Sequence, residues 1–126
     1  MELLCLRERG EPTEVGEMAQ RVWRELEGRL ESLRGRKMYG LFWPRRGEYA
    51  ACTTVLEGDE GRGLEPETLP GGVYLRARLM GDPPEVYERI GPTFDELSAD
   101  VQPDQTRPSI EFYRRHDQVD LLLPVE

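Results

Sequence analysis

Two stretches of this chain can be laid over each other, and their match limits the possible folds. YGLFWPRRGEYAACTTV, residues 39–55, and IEFYRRHDQVDLLLPV, residues 110–125, each read as strand, turn and strand. Each also follows a strand and a helix. In the first half a short strand over residues 3–7 and a turn at Gly10 lead to Val15, Met18, Ala19, Val22, Trp23, Leu26, Leu30 and Leu33. These recur at the i, i+3, i+4, i+7 spacing of one helical face, with Gly35 as the expected stop. Trp23 belongs to that apolar face and is expected in the core.

In the second half residues 73–80 alternate as a strand. Asp82, Pro83 and Glu85 then offer an N-cap, a proline at the first helical position and an acid at the third. Val86, Tyr87, Ile90, Phe94 and Leu97 continue that helix, and Gly91 with Pro92 predict a kink or a split in its middle. Both halves therefore read strand, helix, strand, strand. The expected fold is α+β: two β-α-β-β units forming an antiparallel sheet with two helices and a central ligand groove. One domain over residues 1–126 is expected, with halves at about 1–56 and 72–126. Residues 57–71, rich in Gly, Pro and Glu, read as a surface connection, and they contain neither GK[ST] nor GxGxxG.

Charge and cysteine usage narrow the functional classes. With 25 acidic and 17 basic side chains the net charge is -8, which repels phosphate backbones, so no direct nucleic-acid partner is expected. No apolar run approaches 18 residues, so neither a membrane span nor a signal peptide is read. Cys5 and Cys52 lie far apart without a CxxC or matching histidines, which suggests neither a metal site nor a disulfide framework. A reduced, cytoplasmic protein without cofactors is the simpler reading.

Ser109–Tyr113, SIEFY, contains the residue that most needs explaining. Alternate strand residues share a face, so Glu111 and Tyr113 point one way while Ile110 and Phe112 point the other. An unpaired carboxylate beside aromatic side chains is costly unless a counter-charge arrives from the chain or from a ligand. The internal candidates are Arg76 and Arg78. The final hairpin leaves its register open: a three-residue loop sets Leu121 opposite Glu111, a four-residue loop Leu122. His116 falls in the turn and reads as incidental.

The order LPGGVY (69–74), PSIEFY (108–113) and DLLLPV (120–125), preceded by RVWRELEGRLESL (21–33) and YGL (39–41), resembles the GyrI-like family. This is the domain that also serves as effector-binding module in AraC- and MerR-type transcription regulators. The resemblance implies a groove for hydrophobic, often cationic, aromatic compounds. Its Pro-x-x-Glu-x-Tyr strand assigns the groove carboxylate to Glu111. Tyr113, Phe42, Trp43 and Tyr49 are the aromatic candidates. Phe42 and Trp43 alternate faces, so only one of them lines the groove, and matching Glu111 to Gly40 across the repeat favours Phe42. No helix-turn-helix precedes the domain, so a stand-alone module is expected.

Capture of a hydrophobic or cationic small molecule is thus the leading expectation. The alternative is hydrolysis of strained, cyclopropane-bearing alkylating compounds, with Glu111 as general base and Tyr113 as acid. A third reading is an inhibitor docking a basic protein partner, although the acidity is spread along the chain.

Overall fold

A computed structural model describes residues 1–126, apart from the side chain of Pro12. The strands are β1 (Glu2–Arg9), β2 (Met38–Trp43), β3 (Glu48–Thr54), β4 (Glu65–Thr68), β5 (Tyr74–Met80), β6 (Ser109–Arg115) and β7 (Gln118–Pro124). The helices are α1 (Val15–Arg29), the short α2 (Glu85–Glu88) and α3 (Ile90–Ser98). All seven strands form one antiparallel sheet in the order β4-β1-β3-β2-β6-β7-β5. Setting β4 aside, the order reads β1-β3-β2 and then its reverse, β6-β7-β5. The two β-α-β-β units therefore meet at β2 and β6 about a pseudo-twofold axis, and the fold is α+β as the sequence predicts.

That sheet has to curl. Only residues 69–73 join β4 to β5, and a chain of that length spans at most about 20 Å. In a flat sheet these edges would lie about 29 Å apart, six spacings of about 4.8 Å. The curl closes around Leu3, Tyr39, Leu41, Trp43 and Ile110, which are buried without a helix above them. The helices cover the opposite face: Val22 and Leu26 of α1 pack on Tyr49 and Ala51, and Val86 of α2 packs on Leu79, Val119 and Leu121.

Several expectations are corrected. The helix of the first half ends at Arg29, before Gly35, because its end is pinned from the side. Arg29 donates to the carbonyls of Arg62 and Gly63 at 3.0 and 3.1 Å, and Arg62 donates back to the Arg29 carbonyl at 2.7 Å. The connection over residues 57–71 contains β4, an edge strand whose Pro66 is tolerated at the sheet margin. The second helix does split, but at Arg89 and not at Gly91–Pro92. Pro92 falls in the first turn of α3, where a missing N–H removes no helical bond. Asp82 contributes its backbone carbonyl to Val86 N–H, and no side chain caps α2.

Cys5 and Cys52, expected as free thiols, form a disulfide. The β1–β3 register sets them directly opposite with Cα atoms 4.2 Å apart, the close approach of a non-hydrogen-bonded antiparallel pair. Their 47-residue separation hides this pairing, since only strand register creates it. The Cys5→Ala/Cys52→Ala variant should lose about 2–4 kcal/mol in urea denaturation, from the constraint the cross-link places on the unfolded chain. Mass spectrometry of the unfolded, alkylated wild type should find no free thiol.

Candidate functional site

The two helices stand apart on the sheet and leave an open groove of about 1090 Å³ between them. Its floor is the β2–β6 seam, extended by β3. Phe42 of β2, Tyr49 of β3, and Glu111 and Tyr113 of β6 rise from it. Trp23 of α1 forms one wall, and Tyr87 and Phe94 of the second helix form the other. The aromatic rings touch edge to face: Trp23 meets Tyr113 at 5.2 Å between centroids, and Tyr87 meets Tyr113 at 5.8 Å.

Glu111 lies at the centre of this surface. Its Oε1 accepts hydrogen bonds from the hydroxyls of Tyr113 at 2.6 Å and Tyr49 at 2.7 Å. The Tyr49 oxygen in turn accepts from Trp23 Nε1–H at 2.8 Å. Oε2 receives no hydrogen bond from the described residues, and no arginine or lysine among them is within ion-pair distance. The contrast with the other enclosed acids is clear. Glu48 is held by Arg7 and Arg9, Asp59 by Arg36, and Asp120 by Arg78 and Arg114. Burial lifts the Glu111 carboxyl above its ordinary value, and the two tyrosine hydrogen bonds pull it back only in part. Burial, reinforced by the Glu111 charge, pushes both tyrosine hydroxyls well above their usual range, so they remain donors.

Register explains why the internal partners are missing. Glu111 pairs with Leu121, which pairs with Ala77, so these three share the groove face. Arg76 and Arg78 sit on the other face, where Arg78 serves Asp120 at 2.8 Å. The same hairpin places Leu121, not Leu122, opposite Glu111 and absorbs a bulge between Tyr113 and Arg115.

Of the sequence-derived candidates, Glu111, Tyr113, Tyr49 and Phe42 come together on this face. Trp43 does not: it is buried beneath the curl, with the Arg46 and Arg7 guanidinium groups 5.1 and 5.9 Å from its ring. Trp23, expected as plain core, is half-buried and joins the groove through its indole N–H. Helical spacing gave Trp23 its face; only the N–H in search of an acceptor hinted at more.

Gly40 is the seam residue that makes room. It pairs directly with Glu111 across β2 and β6, and it is also Glu111's counterpart in the repeat. A Cβ at residue 40 would collide with the Tyr49 hydroxyl and with Glu111 Oε1.

Comparison with known proteins finds no matching family model and no matching curated protein. Solved structures do share the fold. An integron cassette protein from the mobile metagenome of Vibrio cholerae superposes with a TM-score of 0.73 at 14% identity, covering 100% of this chain and 90% of that one. SAV2435, solved bound to tetraphenylphosphonium, gives a TM-score of 0.68 at 16% identity, covering 100% of this chain and 88% of that one.

Two outcomes are expected from this geometry. Gly40→Ala should cost about 1–3 kcal/mol by overpacking, and it should break the Tyr49–Glu111 contact, read as a change in Trp23 emission. Glu111→Gln should raise the Tm of the ligand-free protein at neutral pH. A carboxyl whose folded-state pKa is raised favours folding most below its unfolded value, and this contribution is lost as pH rises through the folded value. The advantage of the glutamine variant should therefore vanish in acid, which a Tm series across pH would check.

Proposed function

We propose that this protein captures hydrophobic aromatic cations in the groove centred on Glu111. The observation that carries this reading is a half-buried glutamate, Glu111, that no cation among the described residues neutralises, set among the rings of Trp23, Phe42, Tyr49, Tyr87 and Tyr113. A flat or propeller-shaped cation entering there gains the charge pair and the attraction of aromatic faces together. It also offsets the desolvation cost that Glu111 bears in the groove. The floor is set before binding, since Tyr49 and Tyr113 fix Oε1 and leave Oε2 toward the ligand.

The fold shared with SAV2435, whose structure holds tetraphenylphosphonium, supports the reading, as does the resemblance to GyrI-like domains. Hydrolysis of a strained alkylating compound is a second reading supported by the same hydrogen bonds. Glu111 would take a proton from water as the water oxygen bonds to the strained carbon and the ring C–C bond breaks. The Tyr113 hydroxyl would protonate the electrons released, and Glu111, 2.6 Å away, would return its proton to the phenolate.

Titration with tetraphenylphosphonium, followed by Trp23 and Trp43 emission and by calorimetry, tests the capture reading. Wild type should bind the cation and prefer it to neutral tetraphenylmethane-type isosteres. Glu111→Gln should fold and lose about tenfold or more in cation affinity while keeping its affinity for the neutral compound. Absence of binding to the folded wild type at millimolar cation would refute it.

A further inference from the structure

A cavity of about 1090 Å³ lies at the upper end of the range that holds single drug-sized molecules, so a ring system over Glu111 leaves part of the groove free. From Tyr113 the lining passes to the C-terminal half of α1 and to α2. Trp23 and Glu27 line it from α1, and Tyr87 and Glu88 line it from α2. Trp23 and Glu27 are four residues apart, so they stand on one face of the helix, about 6 Å from each other along its axis.

The path from Glu111 to Glu27 stays within this one cavity, on the helix-covered side of the sheet. Glu111 accepts from the Tyr113 hydroxyl, and the Tyr113 ring meets those of Trp23 and Tyr87 edge to face. Burial, with the Glu27 charge adding to it, holds the Tyr87 hydroxyl above its usual range, so Glu27 lies near enough to act on Tyr87 across the groove. Glu27 is exposed, and no arginine or lysine among the described residues lies within ion-pair distance of it. The cations that line the cavity are placed elsewhere: Arg36 is held by Asp59 and Arg107 by Asp104, while Arg115 and His116 stand at the β6–β7 turn.

We infer that the groove takes dications: an aromatic cation over Glu111 that carries, on a flexible tether, an alkylammonium group held by Glu27 beside the rings of Trp23 and Tyr87. The inference rests on the capture reading above and adds a second positive charge to the ligand. A quaternary ammonium suits this place, since aromatic faces attract it and an exposed carboxylate can act on it while keeping its own water. The two acids differ in kind. Glu111 is enclosed and held by two phenols, whereas Glu27 stands at the rim. The enclosed acid sets which ring system enters, and the exposed one ranks ligands by what trails behind it.

A paired set of fluorescent dyes tests this. Each is a phenanthridinium whose N-alkyl tail, of three, five or seven carbons, ends either in trimethylammonium or in the isosteric, neutral tert-butyl group. At low ionic strength wild type should bind at least one trimethylammonium dye about fivefold more tightly than its tert-butyl twin, and added salt should shrink that ratio. Glu27→Gln should reduce the ratio to less than about two and leave the affinity for the twin unchanged. Its side chain is exposed, so an unaltered Tm accompanies the expected result. Glu60→Gln, which removes an exposed acid outside the groove, should keep the wild-type ratio. Equal affinities in wild type, a ratio kept in Glu27→Gln, or one lost as fully in Glu60→Gln would overturn the dication assignment and leave the capture reading standing. Binding of none of the dyes to the folded wild type would overturn both.

Discussion

The pairing of β2 with β6 is the contact on which the rest of this molecule depends. It joins two units of the same topology into one sheet, and it does so at the point where a symmetric arrangement would be self-defeating. Gly40 and Glu111 face each other there and are repeat counterparts. Two carboxylates at these positions would compete for one volume and repel each other. With glycine on one side, the axis of the fold holds a single acid, and Tyr49 reaches across from β3 to bind it. The asymmetry of the site is thus written into one missing side chain.

The remaining charges show how differently this protein treats acids that serve the fold. Glu48 and Asp120 sit on the concave side and are neutralised by arginines from neighbouring strands, which pull both carboxyls below their usual range against the effect of burial. Arg36 is the main cause that brings Asp59 to about 2, and it ties the long connection to the start of β2. These pairs lock strand ends together. The acid on the convex side has phenols in place of guanidinium groups, so it keeps its orientation but not its counter-charge. For stability alone, a neutral side chain would serve better there.

The architecture was legible because its cues are local and repeated: helical spacing in α1, alternation in β5 and β6, and the two matching hairpins. Strand parity put Tyr113 beside Glu111 and set Phe42 and Trp43 on opposite faces, and the repeat match of Gly40 to Glu111 then favoured Phe42. What stayed hidden depends on distant registers. No local pattern announces that Cys5 meets Cys52, that EPET pairs with β1, or that Arg78 belongs to the opposite face from Glu111. The role of Trp23 was missed for a related reason. An apolar helical face carries no information about which of its members will border a gap between helices. Pro92 misled because its effect turns on whether it falls in a helix interior or a first turn, and the boundary at Arg89 decides that.

The groove also has a consequence for how occupancy and folding are connected. Its carboxylate and the hydroxyl from β3 that orients it are 62 residues apart in the chain, and its walls come from helices of different halves. No fragment containing one half can assemble the floor. A molecule lodged between the walls touches both halves at once and is held only by the complete sheet. Its concentration then enters the folding equilibrium directly, drawing the chain toward the joined state by mass action. The intact seam is in this sense a reporter: its population rises with whatever fills the space above it.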